Sequence, residues 1–256
     1  MDDGWWNFSY HLSSIIQATE HDSTMTTETA TEEKPHYLGH RSRVREKFLA
    51  TLGAGMADYE ILEMLLFSAI PRGDVKPLAK NLLARFGSLA RLISATPEEL
   101  AQVKGAGEAV VASLKVVQVA ALRLLLTEVT DKPVIQSWKA LLDYCRASMG
   151  YNKTEQFRIL FLDKKHKLIA DELQQEGTVD HTPVYPREVV KRGLELAASA
   201  LILVHNHPSG DPTPSQADIQ MTSKIQQAAA GVGITIHDHL IIGGKEHFSF
   251  AGKGLL

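Results

Sequence analysis

Hydrophobic residues recur with a helical period from residue 38 to about 130. Asp58 stands ahead of Ile61, Leu62, Leu65 and Leu66, which share one face of a helix, and Pro71-Arg72-Gly73-Asp74 then breaks the run and offers Asp74 as the next cap. Leu78, Leu82, Leu83 and Phe86 resume the apolar face. Thr96-Pro97-Glu98-Glu99 is a start signal, with a capping Thr, Pro at the first helical position and Glu three residues past the cap. It predicts a short helix over 97 to about 103, and a longer one follows that ends near 126.

Past Asp131-Lys132-Pro133 the pattern changes to helix alternating with strand. A helix over about 137–149 precedes an apolar strand at 157–162, a turn at 163–166 and a second strand from 168 to about 177. Pro186 opens a helix through Val189, Val190, Leu194 and Ala197. Ala200-Leu201-Ile202-Leu203-Val204 is wholly apolar and too short for a helix, as a central strand would be. The chain therefore divides into a tail at 1–34, an all-helical domain at 35–131 and a mixed α/β domain at 134–256.

With 44% hydrophobic and 22% charged residues the composition is that of a globular protein, which excludes collagen-like, low-complexity and coiled-coil chains. No apolar run of about 20 residues is apparent, and no basic stretch followed by an apolar block opens the sequence, so a cytoplasmic protein without a membrane partner is expected. The net charge of -3 is unevenly spread: residues 1–34 carry seven acids against one base, 35–131 ten against twelve, and 132–256 thirteen against fourteen. The acidity lies in the tail, whose Ser/Thr/Glu run at 19–33 predicts disorder. Trp5, Trp6, Phe8 and Tyr10 ahead of that run are either a short docking motif or an unstructured terminus. Cys145 is the sole cysteine, so any metal must be held by His and carboxylate.

The chemistry concentrates in His205-Asn206-His207-Pro208-Ser209-Gly210-Asp211-Pro212-Thr213-Pro214-Ser215-Gln216-Ala217-Asp218. Strand alternation puts His205 and His207 on one face with Cβ atoms roughly 6.5–7 Å apart, so both imidazoles can reach one ion at about 2.0–2.1 Å. Pro208, Gly210, Pro212 and Pro214 force an irregular loop, after which Ser215 can cap a helix whose first turn presents Asp218 as a third ligand. Ser215-Gln216-Ala217-Asp218 also has the form of a capping box, in which the acid only accepts from a backbone N–H. Two imidazoles and one carboxylate suit zinc, with iron or manganese open to the same donors. His237-Asp238-His239 is a second His-x-His whose histidines alternation would place on one face. The position that would mirror Asp218 is Phe250, so these residues are expected to buttress the first site.

Val103-Lys104-Gly105-Ala106-Gly107 carries a different signal. Two glycines one residue apart let the chain turn tightly between helices and expose N–H groups where a phosphate can sit. Lys104 and Lys115, with Arg41, Arg43, Arg45 and Lys47, would add phosphate contacts. The region's slight positive balance is small for a dedicated DNA binder, and a ligand-free helix–helix turn is the other reading.

The 14-residue stretch from His205 to Asp218 resembles the JAMM motif of MPN-domain metalloproteases, and the Gly105-Ala106-Gly107 turn resembles the hairpin of helix-hairpin-helix proteins that bind DNA backbone. Over residues 36–256 the chain resembles the RadC family, most clearly in the His205 to Pro212 stretch, in Tyr185-Pro186-Arg187-Glu188-Val189 and in Asp238-His239-Leu240-Ile241-Ile242-Gly243. That resemblance implies an α+β chain, in which an all-helical helix-hairpin-helix domain precedes an α/β MPN domain of the JAB-like, cytidine deaminase-like kind. It implies a zinc-dependent hydrolase of peptide or isopeptide bonds, with His205, His207 and Asp218 holding one zinc and Ser215 steadying the oxyanion. The family's general base is a Glu at the start of an early strand, a place matched by Glu155, while Glu188 near the start of a helix competes for the role. The alternative function is a DNA-binding, DNA-repair-associated protein that meets nucleic acid through Lys104, Gly105 and Gly107 and keeps the MPN domain as a non-catalytic scaffold.

Overall fold

The computed structural model describes residues 39–177 and 184–256. The tail at 1–34, with its expected disorder and its aromatic residues, lies outside the described residues.

The helical region comprises α1 (His40–Thr51), α2 (Asp58–Ala69), α3 (Lys76–Phe86), α4 (Leu89–Ser94), α5 (Pro97–Ala101) and α6 (Glu108–Thr130). Its core gathers Leu62 and Leu66 of α2 and Leu78 and Leu82 of α3 from the apolar faces read in the sequence, together with Leu92, Leu100 and Leu114. The α5 start is built as a reciprocal cap, with Glu99 N–H donating to Thr96 Oγ1 at 3.3 Å and Thr96 N–H to the Glu99 carboxylate at 3.1 Å. Asp74, expected as the cap, instead stands one residue before the α3 N-cap, Val75, and accepts from the Lys76 N–H at 2.9 Å in a local turn that leads into the helix. At the α5–α6 turn only Gly105 needs to be glycine, because its φ of +92° lies in the left-handed region. Gly107 is extended, with φ of -70°, and serves as the α6 N-cap.

Helix α6 runs beyond the expected end near residue 126 and corrects the expectation about apolar runs. Among the described residues it is the one helix long and apolar enough to cross a membrane by length and composition. Lys115, Gln118 and Arg123 interrupt the apolar letters and conceal this in the sequence. Val110 and Leu114 are buried in the helical core and Val129 in the next core, while Val116, Val119 and Leu124 between them are exposed.

After a short 3-10 turn, Val134–Ser137, the remainder forms α7 (Trp138–Met149), β1 (Glu155–Leu162), β2 (Leu168–Gly177), α8 (Pro186–Glu195), β3 (Ala200–Asn206), α9 (Gln216–Ala230), β4 (Thr235–Gly243) and β5 (Glu246–Ser249). The strands make one mixed sheet in the order β2-β1-β3-β4-β5, with β3 parallel to β4 and the other pairings antiparallel. Every residue of central β3 is buried, as its run of apolar residues predicts. Alternation sends Ile202 and Val204 to a core shared with Leu141, Cys145 and Met149 of α7, and Leu201 and Leu203 to a core shared with Val189 of α8 and Ile225 of α9. Helices thus cover both faces of the sheet. Cys145 sits wholly inside the α7 core, where burial pushes its thiol up to about 12 and leaves it inert at neutral pH.

Candidate metal centre

The face that carries Leu201 and Leu203 ends at His205, and α9 begins just beyond it. A buried parallel strand whose C-terminal end meets a helix N-terminus is a common place for chemistry in α/β sheets. His207 follows the strand and is tied to the neighbouring strand by its N–H, which donates to Ile242 O at 2.9 Å. Gly210, in the loop beyond, lies against Gly243 so closely that a Cβ there would stand 2.4 Å from the Gly210 carbonyl oxygen. Only glycine fits at position 243, and the Pro/Gly loop is thereby pressed onto the end of β4.

His205 Nε2, His207 Nε2 and the Asp218 carboxylate converge. The two Nε2 atoms are 3.0 Å apart, His205 Nε2 is 3.3 Å from Asp218 Oδ1, and His207 Nε2 is 3.6 Å from Asp218 Oδ2. The three ligand atoms lie within 4.8 Å of one another. His207 Nδ1 is 2.8 Å from the Asp211 carbonyl, which can only accept, so Nδ1 carries the proton and Nε2 is the nitrogen turned to the centre.

The capping box and the ligand cluster turn out to be the same structure. Ser215 N–H and Ser215 Oγ donate to Asp218 Oδ2 at 2.7 and 2.6 Å, and Asp218 N–H donates back to Oγ at 3.2 Å. A cap is worth about 1 kcal/mol and works at the surface, whereas burying a carboxylate costs several kcal/mol. Asp218 is only 3% exposed, so capping alone does not account for its place. Burial would push its carboxyl up, but the hydrogen-bonding imidazoles of His205 and His207, with the Ser215 hydroxyl, hold it far below the usual carboxylate range. The hydrogen bond to Asp218 holds the His207 proton above the usual imidazole range despite partial burial, and the Glu155 charge contributes.

A cation entering here must displace that proton. Affinity is therefore expected to rise with pH by about tenfold per unit below the raised His207 pKa and to level off above it. Calorimetric titration of zinc between about pH 6 and about pH 8 measures this, and a flat profile would contradict the arrangement.

The remaining expected residues are placed as follows. Glu155 is the first residue of β1 and lines, with His205 and Asp218, a cleft of about 250 Å³ whose apolar wall includes Phe157 and Met221. Glu188 is exposed on α8 and paired with Arg187 at 3.1 Å, away from the cleft lining. Lys104, Gly105 and Gly107 are exposed at the α5–α6 turn. Three of the cations expected beside them are engaged elsewhere: Lys115 donates to Ile93 O and Ala95 O at 3.2 and 2.8 Å, Arg41 to Ile70 O and Gly73 O at 2.6 and 2.9 Å, and Lys47 to Glu60. They close helix ends and bridge helices within the helical region.

One expectation about the second His-x-His is overturned. A bulge in β4, where Leu201 pairs with Ile236 but Ile202 with Asp238, leaves His237 out of register and breaks the alternation. His237 turns to His166, ring centroids 5.3 Å apart, while His239 is fully buried against His205 at 2.8 Å. Asp238 buttresses from the other side by accepting from Ser249 Oγ and Ala251 N–H at 2.6 and 2.9 Å.

Asn206, passed over in the sequence as a spacer between ligands, fastens the start of β1. Its Oδ1 accepts from Gln156 N–H at 2.8 Å and its Nδ2 donates to Thr154 O at 3.1 Å, so the residues flanking Glu155 are held to the strand that carries the histidines. The only hint was that a buried strand ends on a polar residue that must find partners.

Residues 135–255 match the RadC-like JAB domain and residues 37–112 the UPF0758 N-terminal domain. A UPF0758 protein of Rhodobacter capsulatus is 60% identical over 213 residues, covering 83% of this chain and all of the relative. A UPF0758 protein of Ruegeria pomeroyi is 56% identical over 223 residues, covering 87% of this chain and all of the relative.

Proposed function

The chain belongs to the UPF0758 protein family, with a RadC-like JAB domain, and from that premise we propose that it is a zinc-dependent hydrolase of the JAMM class that cleaves a peptide or isopeptide bond. The observation that carries this reading is the convergence of His205, His207 and Asp218 within 4.8 Å beside a cleft that Glu155 also lines. Two imidazoles and one carboxylate are the donor set of catalytic zinc sites, and both Nε2 atoms face the carboxylate. When bound, zinc would supply a Lewis acid that activates water and draws charge from the substrate carbonyl.

The chain's own residues supply the rest. Glu155 takes a proton from the attacking water and passes it to the leaving nitrogen, as general base and then general acid. The apolar wall of Phe157 and Met221 excludes bulk water from one side of the cleft. Ser215 Oγ donates to Asp218 and so orients a ligand carboxylate; steadying the oxyanion as well requires the hydroxyl to turn from Asp218 towards the substrate. The helical region's expected part, contact with nucleic acid through Lys104, Gly105 and Gly107, is a separate proposal tested by salt-dependent DNA binding.

The direct test is amine release from a mixed peptide and isopeptide library by the full chain, with and without zinc. Release that follows zinc content and stops with chelator is the expected result. A folded, zinc-replete protein that releases nothing from any member of the library would leave the domain a scaffold.

A further inference from the structure

Behind His205 lies a chain of buried hydrogen bonds whose directions can be assigned by elimination. Thr222 Oγ1, on α9, is 2.6 Å from the Asp218 carbonyl oxygen and 2.6 Å from His239 Nδ1. A carbonyl only accepts, so the single hydroxyl proton goes to Asp218 O, a bond that helical threonines commonly make one turn back. The hydroxyl oxygen must then accept from His239, and His239 is protonated at Nδ1. Its Nε2 is left as an acceptor 2.8 Å from His205 Nδ1, so His205 carries its own proton at Nδ1. The last atom, His205 Nε2, is the ring nitrogen left to face His207 and Asp218.

The surroundings hold this chain in one orientation. His239 is fully buried, stacked on Phe250 with centroids 4.6 Å apart and met edge-on by Phe157 at 5.8 Å. Phe250 is placed by the Asp238 carboxylate, which accepts from Ser249 and Ala251 on either side of it. Neither His239 nor Thr222 is among the residues that line the cleft; both stand behind it, against His205 and Asp218.

We propose that Thr222 and His239 are positioning residues that wire His205 into the Nδ1-protonated tautomer and aim its Nε2 at the cation. The relay also couples the ligands to each other, because its far end is the backbone of Asp218. This deepens, and rests on, the metal-site reading above. It carries two requirements that a packing role would not: a donor at position 239 facing Thr222 with an acceptor facing His205, and a hydroxyl at 222.

The test combines imidazole nitrogen chemical shifts of the zinc-free full chain with zinc affinity by chelator competition. The shifts are expected to show His205 and His239 both protonated at Nδ1. His239→Leu and Thr222→Val are expected to weaken zinc binding by about 10–100-fold, as loss of an outer hydrogen-bond partner does. His239→Gln, whose amide can both accept from His205 and donate to Thr222, and Thr222→Ser are expected to recover most of it. His205 found unprotonated at Nδ1, or His239 found protonated at Nε2, in the parent would overturn the relay, as would equal zinc affinity in folded Thr222→Val. Should His239→Leu fail to fold, the shifts and the Thr222 pair still decide. The shift measurement needs no metal, so a parent that binds no zinc would defeat the hydrolase reading while leaving the tautomers to be judged separately.

Discussion

The double substitution His205→Ala and His207→Ala is expected to take bound zinc from about one atom per chain to none after dialysis. Only Asp218 would remain of the three ligands, and a single carboxylate does not retain zinc at protein concentrations. The same change removes both imidazoles that hold the Asp218 carboxyl low, leaving a nearly buried acid with only the Ser215 bonds. Breaking a buried charged pair by deleting one side costs about 3–5 kcal/mol, so a lower melting temperature is expected alongside the lost metal. His207→Ala alone separates the two effects, because it keeps the His205–His239 contact and removes only the ligand that is partly exposed. Elemental analysis beside far-ultraviolet circular dichroism reads both. A folded parent that stays metal-free when zinc is supplied would end the metal reading, and zinc retained by the folded double variant would move the site elsewhere.

Much of this centre was legible because it lies in one continuous stretch. An apolar five-residue strand, two histidines two residues apart, a Pro/Gly loop and a capping Ser with an acid three residues on are all local signals. Local signals survive folding when each agrees with the tertiary structure. The Thr96 cap, the α7 limits and the turn after β1 were readable for the same reason. What sequence could not show is where partners come from elsewhere in the chain. Asn206 matters because of Thr154 and Gln156, about fifty residues away, and Thr222 because β4 brings His239 to it. The β4 bulge that separates His237 from His239 leaves no mark in a run of alternating letters. Arg41 and Lys115 read in the sequence as phosphate contacts, yet each reaches carbonyls at a helix end that only the packed helices supply.

Glu155→Gln is expected to reduce hydrolysis by about 10²–10⁴-fold while zinc content and melting temperature stay near the parent values. The amide keeps the shape of the side chain but cannot accept and return a proton. Glu155 stands at the cleft beside His205 and Asp218, and Asn206 pins the residues on both sides of it. Glu188→Gln is the matched control, since Glu188 is exposed and engaged with Arg187, and its loss should leave turnover within about twofold of the parent. The Glu155 variant also has a readout independent of turnover. Its charge is one of the groups that hold the His207 proton, so in the zinc-free variant His207 should titrate at lower pH than in the parent. Undiminished turnover in Glu155→Gln with a collapse in Glu188→Gln would reassign the base to α8. A lowered His207 titration with full turnover would place Glu155 at the site and remove it from the proton transfer.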